Sequence, residues 1–305
     1  MKKTKIEWAD VVWNPVTGCT KVSEGCRNCY AEGIARRFWG ERKFTDVRCH
    51  PERLAEADKF GKTPQRVFVN SMSDLFHPDV TMGFVCDVIT EMIVHPTHTF
   101  MVLTKRPQQM LEVMQYYGAS LIQDARNIWW GVSAENQATA DERIPLLLKA
   151  PVAVRFVSCE PLLGPVDFRL KKGSYVTNAL TGSMTTAAEP MWGNKLNWVI
   201  CGGESGPHAR PMHPDWVRSL RDQCQDARVP FFFKHWGEWW PAEKGRLYDT
   251  ENTRSVMWTD GQDMLRIGKK SAGRLLDGVE WNGFPEVAKW QTMNCKRFWN
   301  LTKNG

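Results

Sequence analysis

The residues with the clearest capacity for chemistry are three cysteines. Cys19, Cys26 and Cys29 form a C-x6-C-x2-C cluster in a stretch rich in Gly and polar residues. Thiolates are soft ligands suited to iron–sulfur clusters and zinc. Three of them can hold three irons of a 4Fe-4S cube and leave the fourth iron free for another ligand. The competing arrangement is structural zinc, which takes four protein ligands. Cys49 and His50, 20 and 21 residues beyond Cys29, are the nearest groups that could complete it. Nine cysteines in 305 residues are too sparse for a disulfide scaffold, and they fit a reducing compartment.

A second set of chemical groups recurs along the chain. Six short apolar runs, rich in β-branched and aromatic residues, begin at Arg66, His98, Asn127, Val154, Trp198 and Val229, 27 to 44 residues apart. That cadence is close to one βαβ step, and continuous apolar strands point to a parallel sheet buried on both faces. Such sheets bind ligands at the carboxyl ends of their strands. Each run here exits into polar residues, so a shared pocket is expected. Cys159, Glu160 and Lys234 are the candidate catalytic groups, and Cys201 stands at an equivalent exit. Asn70, Ser71, Ser73, Asp74, Thr104, Lys105, Ser133, Glu135, Gly202, Gly203 and Glu204 are candidates for holding a cofactor, with Arg106 at the same exits.

The elements that must position these groups follow from periodicity. Helix-period segments cover 79–94, 107–117 and 214–227, the first carrying Met82, Val85, Ile89 and Met92 on one face. An earlier strand is expected from Ile6 to Val16 and a helix from Tyr30 to Gly40. The fold class is therefore α/β, a partial (β/α)6-type TIM barrel over 1–237 with a small irregular C-terminal cap over 238–305. Residues 165–197 break the cadence as a Gly/Ser/Thr-rich insertion, expected as a loop or lid near the active face. Asp260-Gly261 and Asp277-Gly278 are hairpin turn signals in the cap.

Composition adds bounds. With 42% hydrophobic and 24% charged residues the chain is neither collagenous nor disordered. No apolar run approaches the roughly 18 residues of a membrane span, and no secretory leader precedes the first strand, so a cytoplasmic protein is expected. Forty Lys and Arg against 34 Asp and Glu leave +6, which favours a polyanionic partner. Fifteen Trp include the pairs Trp129-Trp130 and Trp239-Trp240, candidate platforms for stacking bases.

The run from Lys5 to Gly33, with the later NSMSDLF, LTKRP, GVSAEN, SCEPLLG, CGGESG and AGRLLDG, resembles a phage-associated C-x6-C-x2-C family of radical S-adenosylmethionine proteins. The resemblance implies a partial β/α barrel with a 4Fe-4S cluster on Cys19, Cys26 and Cys29, whose open iron chelates S-adenosyl-L-methionine. Radical abstraction of hydrogen from a substrate would follow, of isomerase, mutase or lyase type, with the thiol of Cys159, or equally of Cys201, a candidate hydrogen-atom donor to the product radical. A nucleobase or nucleotide in phage DNA, hypermodified or rearranged, is the implied substrate. An electron donor such as a flavodoxin or ferredoxin, and the host cytoplasm, are implied with it. Two other readings remain, a radical lyase repairing DNA lesions and a non-catalytic zinc or Fe–S nucleic-acid-binding module. The sequence departs from the commonest radical pattern: six residues separate the first two cysteines, and Asn28 rather than an aromatic precedes Cys29. Gly202-Gly203-Glu204 resembles the cofactor-binding glycine motif, yet falls on a late strand.

Overall fold

A computed structural model describes residues 4–185, 190–242 and 253–286. Its centre is an open, seven-stranded, all-parallel sheet of half-barrel form. The strands are β1 (Val11–Trp13), β2 (Arg66–Val69), β3 (Thr99–Thr104), β4 (Ile128–Ser133), β5 (Val154–Cys159), β6 (Trp198–Cys201) and β7 (Phe231–Phe233), adjacent in chain order. The six apolar runs thus supply β2 to β7. The expected first strand is shorter, since Val16–Thr17 turns away to pair with Arg48–Cys49.

Each strand alternates between two apolar layers, because successive side chains leave opposite faces. Val69, Val102, Trp130, Val157, Val199 and Phe233 face outward under the helices. Phe68, Met101, Trp129, Phe156, Trp198 and Phe232 face the lumen and fill its lower part. Trp8 joins them from the N-terminal segment, with its ring 4.6 Å from that of Phe68. Trp129 and Trp130 therefore point to opposite faces, both buried, and the indole N–H of buried Trp239 donates to the Ala209 carbonyl. Trp129, Trp130 and Trp239 are therefore packed in the interior, and Trp240 is half-buried.

The longer helices are α1 (Tyr30–Phe38), α2 (Met82–Val94), α3 (Pro107–Tyr117), α4 (Gln137–Lys149) and α5 (Pro214–Asp226). Val85, Ile89 and Met92 are buried as the periodicity predicts, while Met82 at the first turn is exposed. Thr81 caps α2 by accepting from the Phe84 amide, and Asn136 caps α4 through a reciprocal bond pair with Thr139.

The described residues of the insertion form a sheet rather than an open loop. Arg169–Lys172, Tyr175–Asn178, Ser183–Thr185 and Pro190–Trp192 form an antiparallel sheet. Phe168, Leu170, Leu180 and Leu196 join the outer core, and Gln223 of α5 accepts from the Phe168 amide. Apolar side chains drew this segment onto the helices rather than over the lumen. In the cap, both turn signals hold: Gly261 closes a hairpin between Ser255–Met257 and Asp263–Arg266, and Asp277 and Gly278 have φ of 52° and 80°. Asn282 bridges Phe232, so the cap covers the exposed edge of β7. Residues 287–305 of the expected cap lie outside the described residues.

Candidate metal centre and barrel mouth

The three cysteines lie on one loop that crosses the carboxyl ends of the strands before entering α1. Its position is set by three buried carboxylates. Asp74, past β2, accepts from the Thr104 hydroxyl at 2.7 Å, the Lys105 amide at 3.1 Å and Arg106 Nη1 at 3.0 Å. The same guanidinium reaches the loop, with Nη1 3.6 Å from Cys19 Sγ and Nη2 3.0 Å from both Thr20 oxygens. His77 Nε2 lies 2.8 Å from the Thr20 hydroxyl.

Glu135, past β4 and fully buried, is the second anchor. Its carboxylate accepts from Ser23 of the loop at 2.9 Å, from Arg143 Nη1 at 3.1 Å and from Lys105 Nζ. Burial alone would push this carboxyl up. Lys105 and Arg143 outweigh burial and hold it down at about 2. Gly25 must be glycine here, because a Cβ would lie 2.3 Å from Glu135 Oε1. Glu204, past β6, is the third anchor. It accepts from loop Asn28 at 3.0 Å and from Arg210 Nη2 at 2.6 Å, and Arg210 also binds the Glu24 carbonyl. Burial opposes ionisation of Glu204, and the Arg210 and Asn28 hydrogen bonds lower its pKa.

The thiols sit in mixed surroundings. Burial, with Asp74, pushes Cys19 up to about 11 against the opposing pull of Arg106. Burial also raises Cys29, opposed by the backbone N–H groups of Glu32 and Ala31 at the start of α1. Cys26 is within electrostatic reach of both.

The donor set distinguishes cluster from zinc. Sulfurs around one tetrahedral zinc stand about 3.8 Å apart, given Zn–S near 2.3 Å. Among the described residues, the metal-capable atoms that come within 4.8 Å of one another as a set of three belong to His213, Asp215 and Asp260. The three thiols are spread more widely. The fourth zinc ligands are also engaged elsewhere: His50 bonds Thr17 and Glu52, and Cys49 meets the Thr81 amide at the start of α2. Three thiols on one loop, with His50 and Cys49 engaged elsewhere, suit a cluster held by three thiolates.

The remaining predicted residues divide by what they touch. Asn70 accepts from the Val16 amide through Oδ1, while its buried Nδ2 has no partner among the described residues. The Ser71 hydroxyl donates to Asn14 and that of Ser73 to the Val16 carbonyl, so both brace the loop's root. Ser133 offers its carbonyl to Arg143. A Cβ on Gly203 would fall 2.0 Å from the Trp236 carbonyl oxygen, so this glycine serves close backbone approach rather than a ligand. Gly202 instead opens the lumen between Glu160 and Lys234. Those two form an ion pair at 2.6 Å, partly exposed, with His235 Nε2 3.9 Å from the same carboxylate oxygen. Burial first, then Lys234 and Lys269, pushes His235 down to about 3.

Cys159 is not at the mouth. Its thiol is fully buried in the outer layer with those of Cys201 and Cys224, and burial raises all three. Neither Cys159 nor Cys201 reaches a substrate in the lumen from there. Conversely, Arg143, Arg210, Asn28 and Ser23 hold the site and were not singled out; only their distant partners reveal them.

Residues 3–285 match the family described as "Protein of unknown function (DUF5131)". The chain belongs to that family. No curated protein sequence matches it. Among solved structures it is similar to a cysteine-to-serine mutant of spore photoproduct lyase, at 12% identity and TM-score 0.45, covering 89% of this chain and 72% of that one. A spore photoproduct lyase complexed with dinucleoside spore photoproduct is similar at 10% identity and TM-score 0.43, with the same coverage. These likenesses are distant, and nothing about this chain's chemistry rests on them. Among the described residues, no helix is long and apolar enough to cross a membrane.

Proposed function

We propose that the protein is a radical S-adenosyl-L-methionine enzyme acting on a nucleobase or nucleotide in DNA. The observation that carries this reading is the three-thiol loop, clamped by Asp74, Glu135 and Glu204 beside a lumen that keeps a separate Glu160–Lys234 pair. Cys19, Cys26 and Cys29 would hold a 4Fe-4S cluster, which, reduced by an external one-electron donor, would supply cleavage of S-adenosyl-L-methionine to methionine and a 5′-deoxyadenosyl radical able to abstract substrate hydrogen.

The chain's own groups supply the setting. Arg106 and the first amides of α1 balance the negative charge of the thiolates. Asn70 Nδ2, a buried donor without a partner among the described residues, has its hydrogen bonds to give to a ligand. Glu160 and Lys234 present an acceptor beside a donor, the complement of an N–H next to a carbonyl on a pyrimidine edge or of an amino acid's charged ends. The aromatic floor and Trp8 exclude water from below. The phage setting and a hypermodified pyrimidine rest on the sequence resemblance alone.

Anaerobic reconstitution with iron and sulfide tests the reading. A brown protein with about four irons per chain, forming 5′-deoxyadenosine with dithionite, is the expected result. One equivalent of zinc and no cofactor cleavage would sink it. Nucleosides from DNA treated with the active protein, read by mass spectrometry, then separate modification from lesion cleavage.

A further inference from the structure

Half of the chain's net charge of +6 lies in about a tenth of its length, since residues 20–50 hold seven Lys and Arg against four Asp and Glu. Within that segment α1 buries one face through Ala31 and Ala35. Bordering that face, Tyr30, Ile34 and Phe38 are 53%, 41% and 72% accessible, at helical spacing that lines them in one stripe. Arg36 and Arg37 precede Phe38 and are exposed, Arg37 leaving the helix beside the stripe and Arg36 on the side of Glu32, which it meets at 3.6 Å in an exposed and weak contact. Just beyond, the Arg42 guanidinium stacks 4.1 Å from the Trp39 ring centroid.

The stripe leads to the mouth. The Tyr30 hydroxyl donates to the Ser71 carbonyl at 2.6 Å, and the Glu160 carboxylate lies within its electrostatic reach. From Tyr30 to Phe38 the helix rises about 12 Å, long enough to carry a couple of nucleotides.

We propose that α1 is the track by which single-stranded nucleic acid approaches the mouth, with Phe38 stacking a base and Arg36 and Arg37 holding phosphates. The proposal rests on the mouth being a nucleobase site. Exposed rings interleaved with guanidinium groups suit single strands, where every base has a face to stack and every linkage a charge. An acidic electron-carrying protein on the same stripe would cover the mouth and block the substrate, which favours the nucleic acid.

The test uses the reconstituted full chain and a labelled single-stranded oligothymidylate, followed by fluorescence anisotropy across salt concentration. Wild-type affinity falls with salt. Arg36→Gln/Arg37→Gln lowers the log–log salt slope by about 1.4, two phosphate contacts on a single strand. Phe38→Ala weakens binding about tenfold at every salt concentration, with the slope unchanged. Wild-type affinity and slope in both variants overturn the track. So does slowed reduction by a reduced flavodoxin with oligonucleotide binding intact, which assigns the stripe to an electron carrier. Formation of 5′-deoxyadenosine with dithionite is read in parallel. If wild type forms it yet binds no oligonucleotide, the track fails while the cofactor chemistry stands; if wild type does not form it, the function reading fails.

Discussion

Asp74, Glu135 and Glu204 occupy strand exits equivalent to that of Glu160, yet their surroundings give them opposite uses. The first three meet the guanidinium groups of Arg106, Arg143 and Arg210; Glu135 and Glu204 also accept from the cysteine loop, and Asp74 holds it through Arg106. Glu160 meets the single ammonium of Lys234 across the lumen. A planar guanidinium fixes a carboxylate in place, whereas an ammonium on a flexible stem can exchange partners when a ligand arrives. The countercharge, more than the position on the barrel, separates an anchor from a binding group.

The sharpest way to break that comparison is Glu135→Ala. It strands Arg143 in the core and frees Ser23 and Lys105, so stability falls by about 3–5 kcal/mol and reconstituted iron per chain drops severalfold. Urea denaturation of the apo-protein and iron assay read the two effects. The pH dependence has a definite sign. Glu135 is held near 2 in the folded state, below the ordinary value of about 4.3. Its contribution is therefore present above about pH 4.3 and is lost as the pH falls toward 2. The wild-type stability curve should exceed the variant's slope there by up to about 1.4 kcal/mol per pH unit.

Glu160→Gln should behave oppositely. Iron per chain stays at the wild-type level and stability changes by less than about 1 kcal/mol, because the pair is partly exposed. The rate of 5′-deoxyadenosine formation at subsaturating cofactor falls about tenfold or more, the scale of a lost hydrogen bond to a charged group. Loss of iron in this variant, with iron retained in Glu135→Ala, would reverse the assignment of roles.

Much of the frame was legible in the sequence because it is local. Six apolar runs became β2 to β7, and Pro107 and Pro214 opened helices where they were expected. The cysteine spacing marked the loop. What was not legible was which polar exit the loop would consume, since Ser23 meets Glu135 across 112 residues and Asn28 meets Glu204 across 176. The insertion misled for a related reason: its Gly, Ser and Thr content suggested an open loop, while Phe168, Leu170 and Leu180 carried the packing that pins it to α4 and α5.

One misreading was avoidable from strand parity. Cys159 and Glu160 are neighbours in an extended segment, and neighbours leave opposite faces. If Glu160 points into the lumen, Cys159 points away from it, as Val157 does. Cys159→Ala therefore carries the smallest expected effect. It leaves a small cavity in the outer layer, costing about 1 kcal/mol, and the yield of product per cluster stays at the wild-type level. Quantifying product and 5′-deoxyadenosine together is the decisive measurement. Cofactor cleavage without product would mean that the thiol does quench a substrate radical, which the outward-facing side chain cannot do from behind β5.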